Sequence, residues 1–393
     1  MTLGTLAPLT PDPVLALMGR FRADLRSRKM DLGVGVYRDS RGDTPVFGAV
    51  KLAEKYLLEA QSTKTYLGSE GDPAFVALLA AEALQWTGAV GLQTVGGTGA
   101  LRLAADLLAS TKPGRRIWVA LPTWPNHLPI FAASGLRPAT VELLDASTRK
   151  YRPDKLLDAL RDAAPGDAVL LHGCCHNPTG IDPQGDFWER AADVIVARGL
   201  VPLVDMAYQG LGQGWDGDGA GPRTLAERVP DLMVAYSCDK NFGLYRERVG
   251  ALFIAGVSAN ETQMLCNHVV ALARTNYSMP PDHGAAVVRV ILEDQELTRH
   301  WRAELEAMRM RIHRLRTALA SYGRIGSVDL GSLADGRGMF AMLSLSAAEI
   351  DVLQSEFGIY MSHTGRINIA GLAEDHMDYF VDALRVVQRR NAA

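Results

Sequence analysis

The chain has little cysteine, no long apolar run and no excess charge of either sign. Its four cysteines are Cys174, Cys175, Cys238 and Cys266. Their spacing forms no disulfide framework, so a reduced, cytoplasmic setting is expected. No apolar stretch is long enough to cross a bilayer. The opening MTLGTLAPLTPDP has no basic segment ahead of an apolar one, so no secretory signal is expected. Lysine plus arginine total 41 and aspartate plus glutamate 44, a formal net charge of −3. That balance gives no reason to expect nucleic acid or a membrane surface as a partner. No repeat or low-complexity tract occurs, which excludes solenoids and disordered linkers. Glycine, by contrast, is plentiful. Its 38 residues exceed the usual share of about 7%, which favours tight turns and close backbone approach to ligands.

Hydrophobic residues make up 48% and charged residues 22% of the 393 positions, so a large buried core is available. The length allows two or three domains. The runs RIWVAL (116–121), AVLLHG (168–173), LVPLVD (200–205), LMVAYS (232–237) and VGALFIA (249–255) read as buried strands. The first four are separated by spans long enough for crossover helices, which implies a mostly parallel sheet covered on both faces. The fifth follows a short connection and can join the sheet by another route. Leu297, Trp301, Leu305, Met308, Ile312, Leu315 and Leu319 are spaced by three or four, one apolar stripe along a long helix. The tail reads as α+β, with GMFAMLSL, a helix near 347–357, RINIAG and a helix near 373–389. The expected organisation is an arm over 1–11, a small discontinuous domain from 12–44 and 307–393, and a large domain over 45–306.

Polar clusters follow the expected strands. Trp124, Asn126 and His127 come after the first, and His176 and Asn177 after the second. Asp205 ends the third, with Tyr208 just beyond, and Ser237 and Lys240 close the fourth. Ligands bind at the carboxyl ends of strands in open α/β sheets. A lysine that forms a Schiff base needs surroundings that lower its pKa. A pyridoxal cofactor also needs an acid at its ring nitrogen and an anion site for its phosphate. Asp205 suits the first need; Ser237, Arg248 and the GGTGA at 96–100, ahead of a helix, suit the second. HGCCH (172–176) matches no zinc spacing, and no metal is expected. Arg366 and Arg274 carry the group best suited to bidentate carboxylate recognition, although spacing alone does not separate that role from a surface charge.

Taken in order, LGVGVYRD, TKTYLG, GGTGALR, TWPNH, HGCCHNPTGIDP, DMAYQG, KNFGLYRERVG, NYSMPP and GRINIAG resemble the class I aminotransferases of the fold type I pyridoxal-phosphate superfamily. The pattern is most similar to the bacterial aspartate and aromatic amino acid aminotransferases and covers nearly the full chain. The resemblance implies an α/β fold, with a mixed, mostly parallel sheet between helices in the large domain and a smaller discontinuous α+β domain. It implies pyridoxal 5'-phosphate on Lys240, which would also carry the proton during catalysis. Asp205 would pair with the ring nitrogen, backed by His127. Tyr208 and Asn177 would hydrogen-bond the ring hydroxyl. Trp124 and Ala207 would cover the two ring faces. Gly97, Thr98, Ser237 and Arg248 would hold the phosphate, with Tyr66 from the second subunit of a homodimer. Arg366, Gly35 and Asn177 would bind the substrate α-carboxylate, Trp124 would line the same place, and Arg274 of the second subunit would meet a distal carboxylate. Leu121–Pro122 and Asn177–Pro178 would be cis.

The resemblance also exposes departures. Asp239 stands where the family commonly has serine, just before the lysine. Such an acid either turns from the phosphate or is balanced by a cation such as Arg248, and it is expected to modulate the Schiff-base pKa. Met279 stands where the aspartate enzymes often have asparagine, and an apolar side chain there favours aromatic substrates. His363 and Thr364 also differ, whereas Thr44 and Thr98 keep the aspartate pattern. The expected reaction therefore moves an amino group between phenylalanine, tyrosine or aspartate and 2-oxoglutarate. The alternatives are a narrow aspartate transaminase, a lyase or decarboxylase on the same fold, and a non-catalytic cofactor-binding regulator. The last would carry a DNA-binding module that this sequence lacks.

Overall fold

A computed structural model describes residues 13–86, 90–145, 150–256 and 258–391. The expected arm at 1–11 lies outside them. The chain divides into two compact units, one of Pro45–His313 with Asp335–Gly338 and one of Met1–Thr44, Arg314–Ala334 and Met339–Ala393. The sequence reading drew the break at 306–307. That point lies within one unbroken helix, Gln295–Ala320, where composition gives no signal of a change.

The larger unit is built on a seven-stranded sheet. Across it run Val90–Val95, Val249–Ala255, Leu232–Ser237, Val201–Met206, Ala168–His172, Arg116–Leu121 and Arg137–Glu142. Val249–Ala255 runs antiparallel to both of its neighbours, Val90–Val95 and Leu232–Ser237, so the fifth expected strand does enter by a different route. The central strands are buried almost throughout because helices cover both faces, which is why their sequences do not alternate. Leu101, Leu108, Ile117, Val119, Leu170, Leu203, Leu252 and Val269 pack into one core cluster. Trp301 of the striped helix stacks on Phe242 and donates its indole N–H to Asn241 O at 2.8 Å.

The smaller unit pairs Met30–Asp31 with Ile359–Tyr360 in parallel and Phe340–Met342 with Arg366–Asn368 antiparallel. Its helix Ala347–Phe357 begins with a capping box between Ser346 and Glu349 and ends on left-handed Gly358. Leu315 and Leu319 of the stripe join Leu32, Ile350, Leu353, Ile367, Phe380 and Leu384 in its core. Among the described residues, no helix is long and apolar enough to cross a membrane.

Candidate active site

Parallel pairing fixes where the chemistry collects. Register places His172 opposite Asp205, and Asp205 opposite Ala235, at the carboxyl ends of adjacent strands. The turn after Arg116–Leu121 begins with the cis Leu121–Pro122 bond and leads into the helix that starts at His127. His127 is fully buried, and its Nε2 lies 3.0 Å from Asp205 Oδ2. A carboxylate only accepts, so this nitrogen carries the proton. His127 Nδ1 lies 2.7 Å from Thr123 Oγ1, and that hydroxyl lies 3.0 Å from His172 Nε2. Burial, then the charge of His127, push His172 down to about 3, so it stays neutral. Thr123 Oγ1 thus bridges the two imidazoles, the direction of each of its bonds set by their tautomers, and His127 Nε2 donates to Asp205. Burial alone would raise Asp205, but the His127 hydrogen bond and the positive groups around it, Lys240 included, outweigh burial and hold it below the usual carboxylate range.

Lys240 lies in the turn after Leu232–Ser237. Its amine is 5.3 Å from the centre of the Tyr208 ring. Burial lowers its pKa; Asp239 and Asp205 oppose this, Arg248 adds to it, and the net shift is downward. Tyr208 Oη accepts from Asn177 Nδ2 at 3.2 Å, and Asn177–Pro178 is also cis. The Trp124 ring meets His127 edge-on, with centres 5.2 Å apart. Ala207 directly follows Asp205's strand and stays partly open to solvent.

A corner whose groups suit an anion adjoins the lysine. Gly96 and Gly97 open the helix Gly96–Thr111, with Thr98 in its first turn. Gly96 has φ +63°, and a Cβ there would fall 2.6 Å from Arg248 Nη2. A Cβ on Gly97 would fall 3.0 Å from Ser237 Cβ. Only glycine permits so close a cradle of backbone, hydroxyl and guanidinium. Arg248 forms a close ion pair with buried Asp239, which settles one expectation: the acid is balanced by Arg248.

In the smaller unit, Arg366 Nη2 donates to Gly33 O at 2.7 Å, and its guanidinium centre lies 4.7 Å from the Phe340 ring centre. A Cβ on Gly35 would fall 2.8 Å from Phe340 Cζ, so glycine there leaves room for the ring under the arginine. Tyr66 and Arg274, the two residues expected from a second subunit, are both exposed on the larger unit, Tyr66 at 88%. Their segments meet where Leu67 N–H points at Met279 Sδ, 3.2 Å away.

Sequence reasoning missed Thr123 and His172 as parts of the chain behind Asp205. The signal was present: Thr123 precedes His127 by one helical turn, and His172 ends a strand beside Asp205's. Cys174, Cys175 and Asp218 also come together. Asp218 accepts from the backbone N–H groups of Gly210, Gly212 and Gln213, so its oxygens are spent on ordering that loop. The hydrogen bond that Cys174 donates to Cys175, then burial, hold the Cys174 thiol well above its usual value, which makes it a poor ligand.

This donor set fits pyridoxal 5'-phosphate. A desolvated amine, a buried carboxylate kept ionised and a glycine-lined anion corner lie on adjoining strand ends of one sheet. The family comparison agrees. Residues 27–384 match the model for aminotransferase class I and II. The chain is 53% identical to a tyrosine aminotransferase of Rhizobium meliloti (strain 1021) over 371 residues, covering 93% of this chain and 95% of that one. It is 42% identical to an aspartate aminotransferase of Escherichia coli (strain K12), covering 98% of each. It superposes with a TM-score of 0.94 and 38% identity on an aromatic-amino-acid aminotransferase from Burkholderia pseudomallei covalently bound to pyridoxal phosphate, covering 99% of this chain and 100% of that one. The chain belongs to the class I and II aminotransferases and is a pyridoxal-phosphate-dependent transaminase.

Proposed function

We propose that this transaminase moves the amino group between an aromatic amino acid (phenylalanine or tyrosine) or aspartate and 2-oxoglutarate. The observation that carries the chemistry is the lowered amine of Lys240 beside the ionised Asp205, which accepts a hydrogen bond from His127. When bound, the cofactor supplies a carbonyl that condenses with amines and a ring that takes up electron density from the Cα–H bond. Lys240 Nζ, populated as the neutral amine, serves as nucleophile and then takes and returns the substrate proton. Asp205 holds a proton at the ring nitrogen. Tyr208 and Asn177 meet the ring hydroxyl, and Trp124 and Ala207 flank the ring. Gly97, Thr98, Ser237 and Arg248 hold the phosphate. Arg366, with the backbone of Gly35, binds the α-carboxylate, and Asn177 and Trp124 also line the substrate. In this reading the larger unit is the cofactor domain and the smaller one carries the carboxylate clamp.

The substrate class is supported by the tyrosine, aspartate and aromatic-amino-acid aminotransferases that the chain resembles. Met279, apolar and close to Leu67, supports room for an aromatic side chain. The test is the visible spectrum of the cofactor-loaded enzyme during separate additions of phenylalanine and aspartate. Loss of the lysine-linked band with matching oxo acid formed supports the reading, and the concentrations needed rank the two substrates. A band that neither amino acid disturbs sinks the substrate assignment. Arg366→Ala is expected to lower kcat/KM for amino and oxo acids by about 100-fold, the scale of a lost charged hydrogen bond, with the cofactor band unchanged. An equal loss of the band would show damage to the fold instead.

The same reading makes the enzyme a homodimer that acts in the cytoplasm. Four free, buried thiols support a reducing compartment. Leu52, Tyr56, Leu58, Tyr66 and Leu67 are exposed along one helix and the segment after it, apolar side chains that a partner subunit would cover. Tyr66 and Arg274 would complete the partner's site. Lys240→Ala and Arg274→Ala chains, each impaired alone, should therefore recover activity when mixed and allowed to exchange. Random pairing makes half the dimers mixed, each with one intact site, so recovery should approach about one quarter of the unmutated rate. No recovery after exchange would place Arg274 in its own subunit's site.

A further inference from the structure

Asp239 is an anion in a corner built for anions. Its carboxylate is buried, and Oδ2 is ion-paired to Arg248. The same Oδ2 lies 3.3 Å from where a Cβ on Gly96 would sit, so the acid reaches the first residue of the Gly96–Thr111 helix. Its backbone N–H donates to Ser237 Oγ at 3.2 Å. The second oxygen, Oδ1, is buried and has no hydrogen-bond partner among the described residues. A buried carboxylate oxygen left without a donor is costly. The charged and titratable groups facing it are Arg248, already paired through Oδ2, Lys240 beside it, and Cys238, whose thiol is pushed up by burial and then by the charge of Asp239. Asp205 acts on Lys240 as well. Among the described residues none of these supplies a donor to Oδ1, which leaves that oxygen free to accept a proton carried by a ligand in the corner.

If the corner holds the cofactor phosphate, as proposed above, the ester's own charge state matters. A phosphate monoester loses its second proton near about pH 6 in water. The dianion has only acceptors, whereas the monoanion has one O–H. The charge count points the same way. Arg248 brings one positive charge and the helix N-terminus roughly half of another, while Asp239 cancels one. We propose that Asp239 Oδ1 accepts a hydrogen bond from a protonated phosphate oxygen, so that the corner takes the ester as its monoanion. The phosphate then keeps its second proton at pH values where the free ester has lost it. The hydrogen bond satisfies the orphaned oxygen and removes the repulsion between carboxylate and phosphate.

Phosphorus NMR of the unmutated enzyme loaded with pyridoxal 5'-phosphate, followed from about pH 5.5 to 9, tests this against the free ester's midpoint near about 6. The bound resonance should hold the monoanion position through neutrality and titrate at least tenfold lower in proton concentration than the free ester. In Asp239→Ser, which offers a small hydroxyl donor instead, it should sit at the dianion position throughout. Cofactor affinity, read by fluorescence, should weaken with rising pH in the unmutated enzyme, whereas in Asp239→Ser it should strengthen up to about pH 7 and then stay level. A bound resonance fixed at the dianion position in the unmutated enzyme overturns the proposal by itself and leaves the cofactor site standing. The absence of any immobilised phosphorus resonance overturns the reading of the corner, and the proposal with it.

Discussion

Lys240→Ala should leave a folded protein that still takes up pyridoxal 5'-phosphate but transaminates at least about ten-thousand-fold more slowly, the upper range for a positioned acid–base group. The expectation follows from where the amine sits. It closes a turn at the end of a fully buried strand, over the ring of Tyr208, with Asp205 and Asp239 close enough to act on it. Burial wins over those two charges, and the neutral form is the one that can attack a carbonyl or take a proton. Lys240→Arg separates charge from chemistry. It keeps a cation near both acids, but a guanidinium stays protonated at any working pH, so the same loss is expected. An arginine variant that kept even a tenth of the activity would show that the amine is not the proton carrier.

The lowered amine has a second consequence in the cofactor-free protein. Below the ordinary lysine value the unfolded chain binds a proton that the native chain resists. Stability should therefore rise with pH over the window from the native value to the ordinary one, and fall as pH drops through it. Lys240→Met should flatten that component in thermal melts of the apoprotein. A slope unchanged by the substitution would mean that the amine is solvated and not held back.

The parts of the fold that the sequence revealed are those where burial alone sets composition. Strands covered on both faces, such as Leu232–Ser237, are unbroken apolar runs, and the stripe from Leu297 to Leu319 repeats every three to four residues. The two strands that were missed sit at opposite ends of the sheet. Arg137–Glu142 is an edge strand, largely exposed, and reads as a polar loop. Val90–Val95 buries Gln93 and Thr94, whose polar groups are satisfied only by distant or folded-back backbone: Gln93 accepts from Asp72 N–H and donates to Pro281 O. No periodicity along one segment can announce partners so far away. The site shows the same division. Residues at strand ends, including Asp205, Asn177, Ser237 and Lys240, were legible because a parallel sheet gathers its ligand contacts there. The Thr123–His172 link depends on the register between strands, and the lone oxygen of Asp239 depends on three segments meeting.

That link sets the second large effect. Asp205→Ala should cut kcat by about a thousand-fold, the scale of removing a pre-aimed electrostatic group, because nothing else on those strand ends can hold a proton at the ring nitrogen. His127→Asn should cost only about tenfold, as for other groups that orient a functional side chain, but it should move the pH profile. Asp205 is pulled two ways: burial raises its pKa, while the His127 hydrogen bond and the positive groups near it bring it down. Removing the imidazole deletes the largest lowering contribution and leaves burial in place, so Asp205 should protonate at higher pH. Because the charged form is the active one, the acid limb of kcat/KM should shift upward. Thr123→Val should shift it in the same direction by less, since it breaks the chain one bond further back and leaves His127 in contact with Asp205. An acid limb that stays put in both variants would reduce the buried histidines to packing, and Asp205 would then owe its ionisation to Lys240 alone.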